Sequence, residues 1–100
     1  MAIAEVSIVP IGTGNTSVSE FVADAVKVLK KSGLNYKLNP MGTIIEGEIK
    51  DVMDVITKMH ETPFMKGSKR VYTTIKIDDR RDKSVKMEEK VQAVKEKISR

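Results

Sequence analysis

Residues 3–9 are apolar or β-favouring except at Glu5 and Ser7, and Pro10 closes the run, which predicts a first strand. Residues 10–15 (PIGTGN) read as a turn with two glycines. Ser17 then opens a helix, with Glu20 three residues later in the pattern of a capping box. Val18, Phe21, Val22, Ala25, Val28 and Leu29 recur along it at helical spacing, and Gly33 suits the left-handed position that ends it. Tyr36 and Leu38 alternate with Asn35, Lys37 and Asn39 in a short strand. After the tight connection Asn39-Pro40-Met41-Gly42, residues 43–49 complete a hairpin. Asp51 opens a second helix with Val52, Val55, Ile56 and Met59 on one face. Pro63 removes a helical hydrogen bond and ends or kinks that helix near Thr62, and Gly67 marks the exit. Residues 70–78 alternate most cleanly of all, Val71, Thr73, Ile75 and Ile77 against Tyr72, Thr74 and Lys76. A charged loop over residues 79–83 leads to a last helix from about Ser84 to Ile98, with a narrow stripe of Met87, Val91, Val94 and Ile98.

The order β-α-β-β-α-β followed by one helix is the ferredoxin-like split βαβ with an addition, an α+β class with an antiparallel sheet. Right-handed crossovers are expected to put the first and fourth strands in the centre and the first two helices on one face. The first strand is apolar on both sides, with Ala4, Val6 and Ile8 against Ile3 and Val9, so its second face should be covered too. The last helix and a second subunit are the expected covers. The chain of 100 residues makes one domain over residues 1–100, with no internal repeat or linker.

Composition narrows the function. Without cysteine there is no disulfide, thiolate metal site or cysteine nucleophile, which fits a cytoplasmic protein. No apolar run approaches the roughly 20 residues that span a bilayer, and the first ten residues lack a basic leader, so neither a membrane span nor a secretory signal is expected. The net charge is +4, of which residues 81–100 carry +3, with seven basic and four acidic side chains. Those charges alternate in sign with no aromatic among them, the pattern of a solvated helix rather than a nucleic-acid surface.

Several segments are candidates for chemistry. The turn holding Gly12, Thr13 and Ser17 runs from a strand into a helix N-terminus, where backbone N–H groups can hold an anion. It lacks the lysine of a P-loop and the third glycine of a dinucleotide fingerprint, and a capped β-to-α turn explains it equally well. Gly42 and Gly47 flank or interrupt an apolar strand around Thr43 and Glu46, which marks a bulge, a close backbone approach or room for a ligand beside a carboxylate. Tyr72, Thr74 and Lys76 share a face, and a buried Lys76 would need Glu5 or Glu46 as its partner. Asp78, Asp79, Arg80 and Arg81 offer surface ion pairs, the reading favoured for Asp79 and Arg81. His60, the only histidine, borders the second helix's apolar face, and reads as a packed residue before a base. No second histidine offers a two-histidine metal site, and no nucleophile–base pair stands out, so neither catalysis nor a metal or cofactor is expected.

The segments VSIVPIGTGNTSVSEFV, NYKLNPMGTIIEG, KMHE and RVYTTIKIDDRRD together resemble the small thiamine-binding proteins, across nearly the whole chain. The resemblance implies a ferredoxin-like fold, assembly into homodimers or homotetramers, a cytoplasmic location, and binding of thiamine or its hydroxymethylpyrimidine moiety without chemistry. Under it, Glu46 would meet the amino group or the thiazolium charge, Thr13, Thr43 and Thr74 the ring nitrogens, and Tyr72 a ring face. Gly12, Ser17, Gly42, His60 and Lys76 complete the candidate site. The alternative is a regulatory or structural oligomer with no thiamine as ligand.

Overall fold

The computed structural model describes residues 1–100 as β1 (Ala2–Ile11), α1 (Ser19–Ser32), β2 (Asn35–Asn39), β3 (Gly42–Gly47), α2 (Ile49–Met65), β4 (Arg70–Asp79) and α3 (Met87–Ile98). The strands form one antiparallel sheet in the order β2-β3-β1-β4. This is the ferredoxin-like α+β fold with an extra C-terminal helix.

Pairing sorts the side chains between two faces, because directly opposed residues project to the same side. Ala4 lies opposite Ile45 and Ile77, and Val6 opposite Thr43 and Ile75. These residues face α1 and α2. The core is a cluster of Ala4, Val6, Ala25, Leu29, Ile45, Val52, Val55, Ile56 and Met59, all buried between that face and the two helices. Full burial of a side chain such as Leu29 or Ile45 contributes roughly 1.5–3 kcal/mol. Glu5 lies opposite Ile44 and Lys76, and Ile3 opposite Glu46 and Asp78, so these look out from the other face.

The central strands are β1 and β3, not β1 and β4. β4 lies at an edge, paired on one side only. The regular alternation of β4 reports two chemically different faces, and a strand can have those whether or not both its edges are paired. The expected cover of the second face by the last helix also fails. From Glu88 to the C-terminus every residue of the chain is exposed, and only Met87 of the helix is buried.

Boundaries moved for local reasons. α1 begins at Ser19 with Val18 at its N-cap and no side-chain cap, so the expected Ser17–Glu20 capping box does not form. Ser17 is held instead by Asn15, whose side-chain oxygen accepts the Ser17 N–H at 2.9 Å. Gly33, at φ +77°, ends α1 in the left-handed conformation anticipated for it. β1 continues through Pro10 to Ile11, α2 starts at Ile49 rather than Asp51, and α3 starts at Met87 rather than Ser84. α2 also continues past Pro63 to Met65. Proline cannot donate to the Met59 carbonyl, and the Thr62 hydroxyl does so in its place at 2.8 Å.

Candidate functional site

The fold divides the candidate residues among three places. Gly12, Thr13 and Ser17 lie in the exposed loop between β1 and α1, where the Thr13 hydroxyl donates to the Asn15 carbonyl at 3.1 Å. Thr43 and His60 lie on the helix-covered side. His60 Nδ1 is 2.7 Å from the Thr73 hydroxyl, and its ring meets Phe64 edge-on with centroids 5.6 Å apart, so the histidine ties α2 to β4. Gly42, Glu46, Tyr72, Thr74 and Lys76 belong to the open face of the sheet.

On that open face Glu5 and Glu46 have different tasks. Glu5 pairs with Lys76 at 3.7 Å, and Lys76 is exposed, so the pair is solvated rather than the buried one considered for it. Gly42 lies beside them: a Cβ there would come within 3.2 Å of Glu5 Cγ and of the Val6 carbonyl. This is the close approach that the glycine permits. Glu46 is taken up within the chain. One carboxyl oxygen accepts from the Asn35 amide at 2.5 Å, and the other from the Met87 N–H, the first of α3, at 2.8 Å. One acceptor holds the edge strand β2 and the other anchors the start of α3.

A cleft opens on the other side of the sheet. It has a volume of about 250 Å³, between Val18 at the N-cap of α1, Val22 and Val26 within that helix, and the β2–β3 turn. Val6 and Ile8 of β1 and Met59 of α2 also line it, with Leu38, Asn39, Gly42 and Thr43 from the hairpin. The cleft continues outward past Ser17, Ser19 and Pro40. Its lining is mostly apolar and carries no charged side chain. Thr43, a buried residue, lines the cleft beside Asn39. An apolar slot with a few convergent polar groups is the usual form of a site for a small ring.

Of the sequence candidates, the cleft gathers Ser17, Gly42 and Thr43. Val18, Val22, Val26, Leu38 and Asn39 were missed as site residues. Val18, Val22 and Val26 recur every fourth position, forming a second apolar file beside Ala25 and Leu29. A helix stripe wider than its core contact was the available signal.

Away from the cleft, the charged groups pair locally. Arg80 forms a two-bond fork with Asp82, at 2.6 and 2.9 Å, and holds the Asp82 carboxyl down to about 2. Arg81 lowers Asp79 in the same way from 2.8 Å, the pairing expected of those two residues. Asp24, with Glu20 more distant, raises Lys66. No group of three or more His, Cys, Asp or Glu is placed to hold a metal ion. No helix is long and apolar enough to cross a membrane.

Similar proteins agree with this architecture. A UPF0045 protein of Bacillus subtilis is 51% identical over 98 residues, covering 94% of each chain. A UPF0045 protein of Methanothermobacter thermautotrophicus is 46% identical over 98% of this chain and 100% of its own. A solved structure from Methanocaldococcus jannaschii, 39% identical, superposes with a TM-score of 0.85 over 95% of this chain and 96% of that one. A Thermotoga maritima structure, described as a candidate thiamine biosynthesis or salvage protein, shares the fold at a TM-score of 0.78 and 22% identity over 93% of this chain and 97% of that one. The thiamine-binding protein family model matches residues 4–95, and the chain belongs to that family.

Proposed function

We propose that this protein binds thiamine or a related hydroxymethylpyrimidine in the cleft between α1 and the β2–β3 turn, without catalysis, as a homo-oligomer. The observation that carries the reading is the mostly apolar cleft lined by Thr43 and Asn39, in a chain of the thiamine-binding protein family. The aminopyrimidine ring, flat and largely apolar on its faces, would slide between Val22 and Leu38. Thr43 and Asn39 would meet its nitrogens and amino group. The thiazolium end would point outward past Ser17, where water stabilises its charge. The sparse burial of the single chain supports the oligomer, since only 16 of 100 residues are buried.

Calorimetric titration with thiamine, hydroxymethylpyrimidine and thiamine phosphates tests the reading. Saturable heat is expected with at least one of them, and none at millimolar ligand would end it. Val22→Phe should fill the slot and abolish binding with the fold intact by circular dichroism. Thr43→Val should weaken binding by roughly 1 kcal/mol, the usual net worth of one hydrogen bond. Loss of binding in Tyr72→Ala with Val22→Phe silent would move the ligand to the open face.

A second reading, an assembling protein without thiamine as ligand, is favoured by the bare stripe of α3, where Val91, Val94 and Ile98 are all exposed. Light scattering separates the two. Assembly indifferent to every ligand, joined to a silent titration, selects the second.

A further inference from the structure

α1 leans on its neighbouring helix more than on the sheet. It packs mainly on α2 and only lightly on β1, and its first turn has no side-chain cap. A helix turns once in about 3.6 residues, so its side chains fall into distinct files. Val22 and Val26 share the flank that forms the cleft wall. Glu20, Phe21 and Asp24 share the other flank, and Ala25 and Leu29 lie between the two in the core. The width of the cleft is therefore set by whatever holds the far flank of α1.

That flank meets one lysine. Lys66 follows the last residue of α2, and the turn that presents it is closed by its own backbone. The Lys66 N–H donates to the Pro63 carbonyl and the Gly67 N–H to the Phe64 carbonyl, each at 3.1 Å. The Lys66 ammonium lies 2.8 Å from an Asp24 carboxyl oxygen and 3.8 Å from one of Glu20. It also stands over the Phe21 ring, 5.6 Å from its centre, where a cation is attracted to the ring face. The Lys66 and Asp24 side chains are 40% and 26% exposed, against 84% and 60% for the Lys50–Asp54 pair, so water and salt weaken this clasp less than an ordinary surface pair. Lys66 makes the only ion pairs between α1 and α2.

We infer that Lys66 is a positioning residue for the cleft: by clasping Glu20, Phe21 and Asp24 it fixes the start of α1, and with it the distance of Val22 from the β2–β3 turn. The inference rests on the cleft being the ligand site, as proposed above, and adds what sets that site's width. Lys66 touches no ligand and acts through α1, so its loss widens the slot and loosens the grip on a flat ring. The clasp also gives the binding of an uncharged ring a dependence on salt. The cleft itself has no charged side chain, so that dependence comes from ions screening Lys66 from its carboxylates.

Hydroxymethylpyrimidine, uncharged in mildly alkaline buffer, is the probe. Lys66→Met keeps the stem and removes the charge, and affinity should fall roughly fivefold with the fold intact by circular dichroism. Lys66→Arg should stay within about twofold of the unmodified chain, since a guanidinium meets both a carboxylate and a ring face. Raising potassium chloride from about 0.1 M to about 1 M should weaken binding to the unmodified chain more than to Lys66→Met. Ile45→Val, a core change away from clasp and cleft lining, should leave affinity unchanged, and a fall matching that of Lys66→Met overturns the clasp. A ligand-free measurement stands beside these. The chain has no cysteine, so spin labels on Ala23→Cys and Met41→Cys, both exposed, report the distance across the cleft. Lys66→Met should lengthen and broaden that distance distribution, and an unchanged distribution overturns the clasp. Binding equally tight and equally salt-dependent in Lys66→Met overturns the clasp while the ligand reading stands. A silent titration of the unmodified chain ends the ligand reading, and the labels then decide the clasp alone.

Discussion

Glu46 is the one ionisable residue among the buried ones, at 4% exposure, and its surroundings explain why the chain tolerates it there. Both carboxyl oxygens have donors, from the Asn35 amide and from the Met87 backbone. Removing the carboxyl leaves two buried donors without an acceptor, each costing about 1–3 kcal/mol when unsatisfied, less whatever water recovers. Glu46→Ala should therefore lower unfolding stability by about 2 kcal/mol in urea, and Glu46→Gln by less, because one acceptor oxygen survives. Ligand affinity should stay unchanged in Glu46→Gln, since the cleft opens on the other face. Glu46 stood out through its neighbouring glycines, yet one of its two partners lies 41 residues away, a distance over which no periodicity or spacing speaks. Local pairing is easier to read: Asp82 sits two residues from Arg80, whose guanidinium lowers the carboxyl to about 2. A depressed carboxyl favours the folded loop above the ordinary value of about 3.9, and that contribution is lost as pH falls through the folded value. The Asp82 carboxyl should titrate near pH 2 by NMR, and near its ordinary value in Arg80→Met.

α2 shows how an element outlasts the signal that should stop it. Pro63 deletes the bond that would reach Met59, and the preceding threonine repairs it from its side chain while buried at 6% exposure. Thr62→Val keeps the shape and removes the donor, leaving the Met59 carbonyl unpaired, so it should cost about 1–2 kcal/mol in thermal or urea unfolding. In a Pro63→Ala background the restored N–H can reach that carbonyl, and the same substitution should cost measurably less. Such non-additivity is what a shared acceptor produces. A donor one position ahead of a proline was present in the sequence, but whether it bends back depends on packing. Element type and order were legible throughout because each segment has its own period. The neighbour order was not, since alternation reports the faces of a strand and is silent about its edges. Crossover handedness, from which β4 was expected at the centre, fixes the face that the helices cover and leaves the strand order open.

The whole molecule is stretched: its radius of gyration is 15.1 Å, where a compact chain of 100 residues has about 13 Å, and its longest extent is 48 Å. α3 is the element least packed against the rest. Its first residue is held by Glu46, and Lys90 pairs with Asp78, but beyond that turn nothing in the chain lies against it. An isolated helix of 12 residues is marginal in water, so α3 should fray when the chain stands alone. Its amides from Val91 to Ile98 should then exchange hydrogen at close to free-peptide rates, while those of β1, β3 and α2 exchange only with global unfolding. Assembly that covers the open face should protect the α3 stripe as well, because Met87 and Lys90 hold the start of α3 against Glu46 and Asp78 of that face. Protection of Val91, Val94 and Ile98 should accordingly appear only at protein concentrations where light scattering shows more than one copy. Exchange that stays fast in an assembled population would mean that the copies join elsewhere.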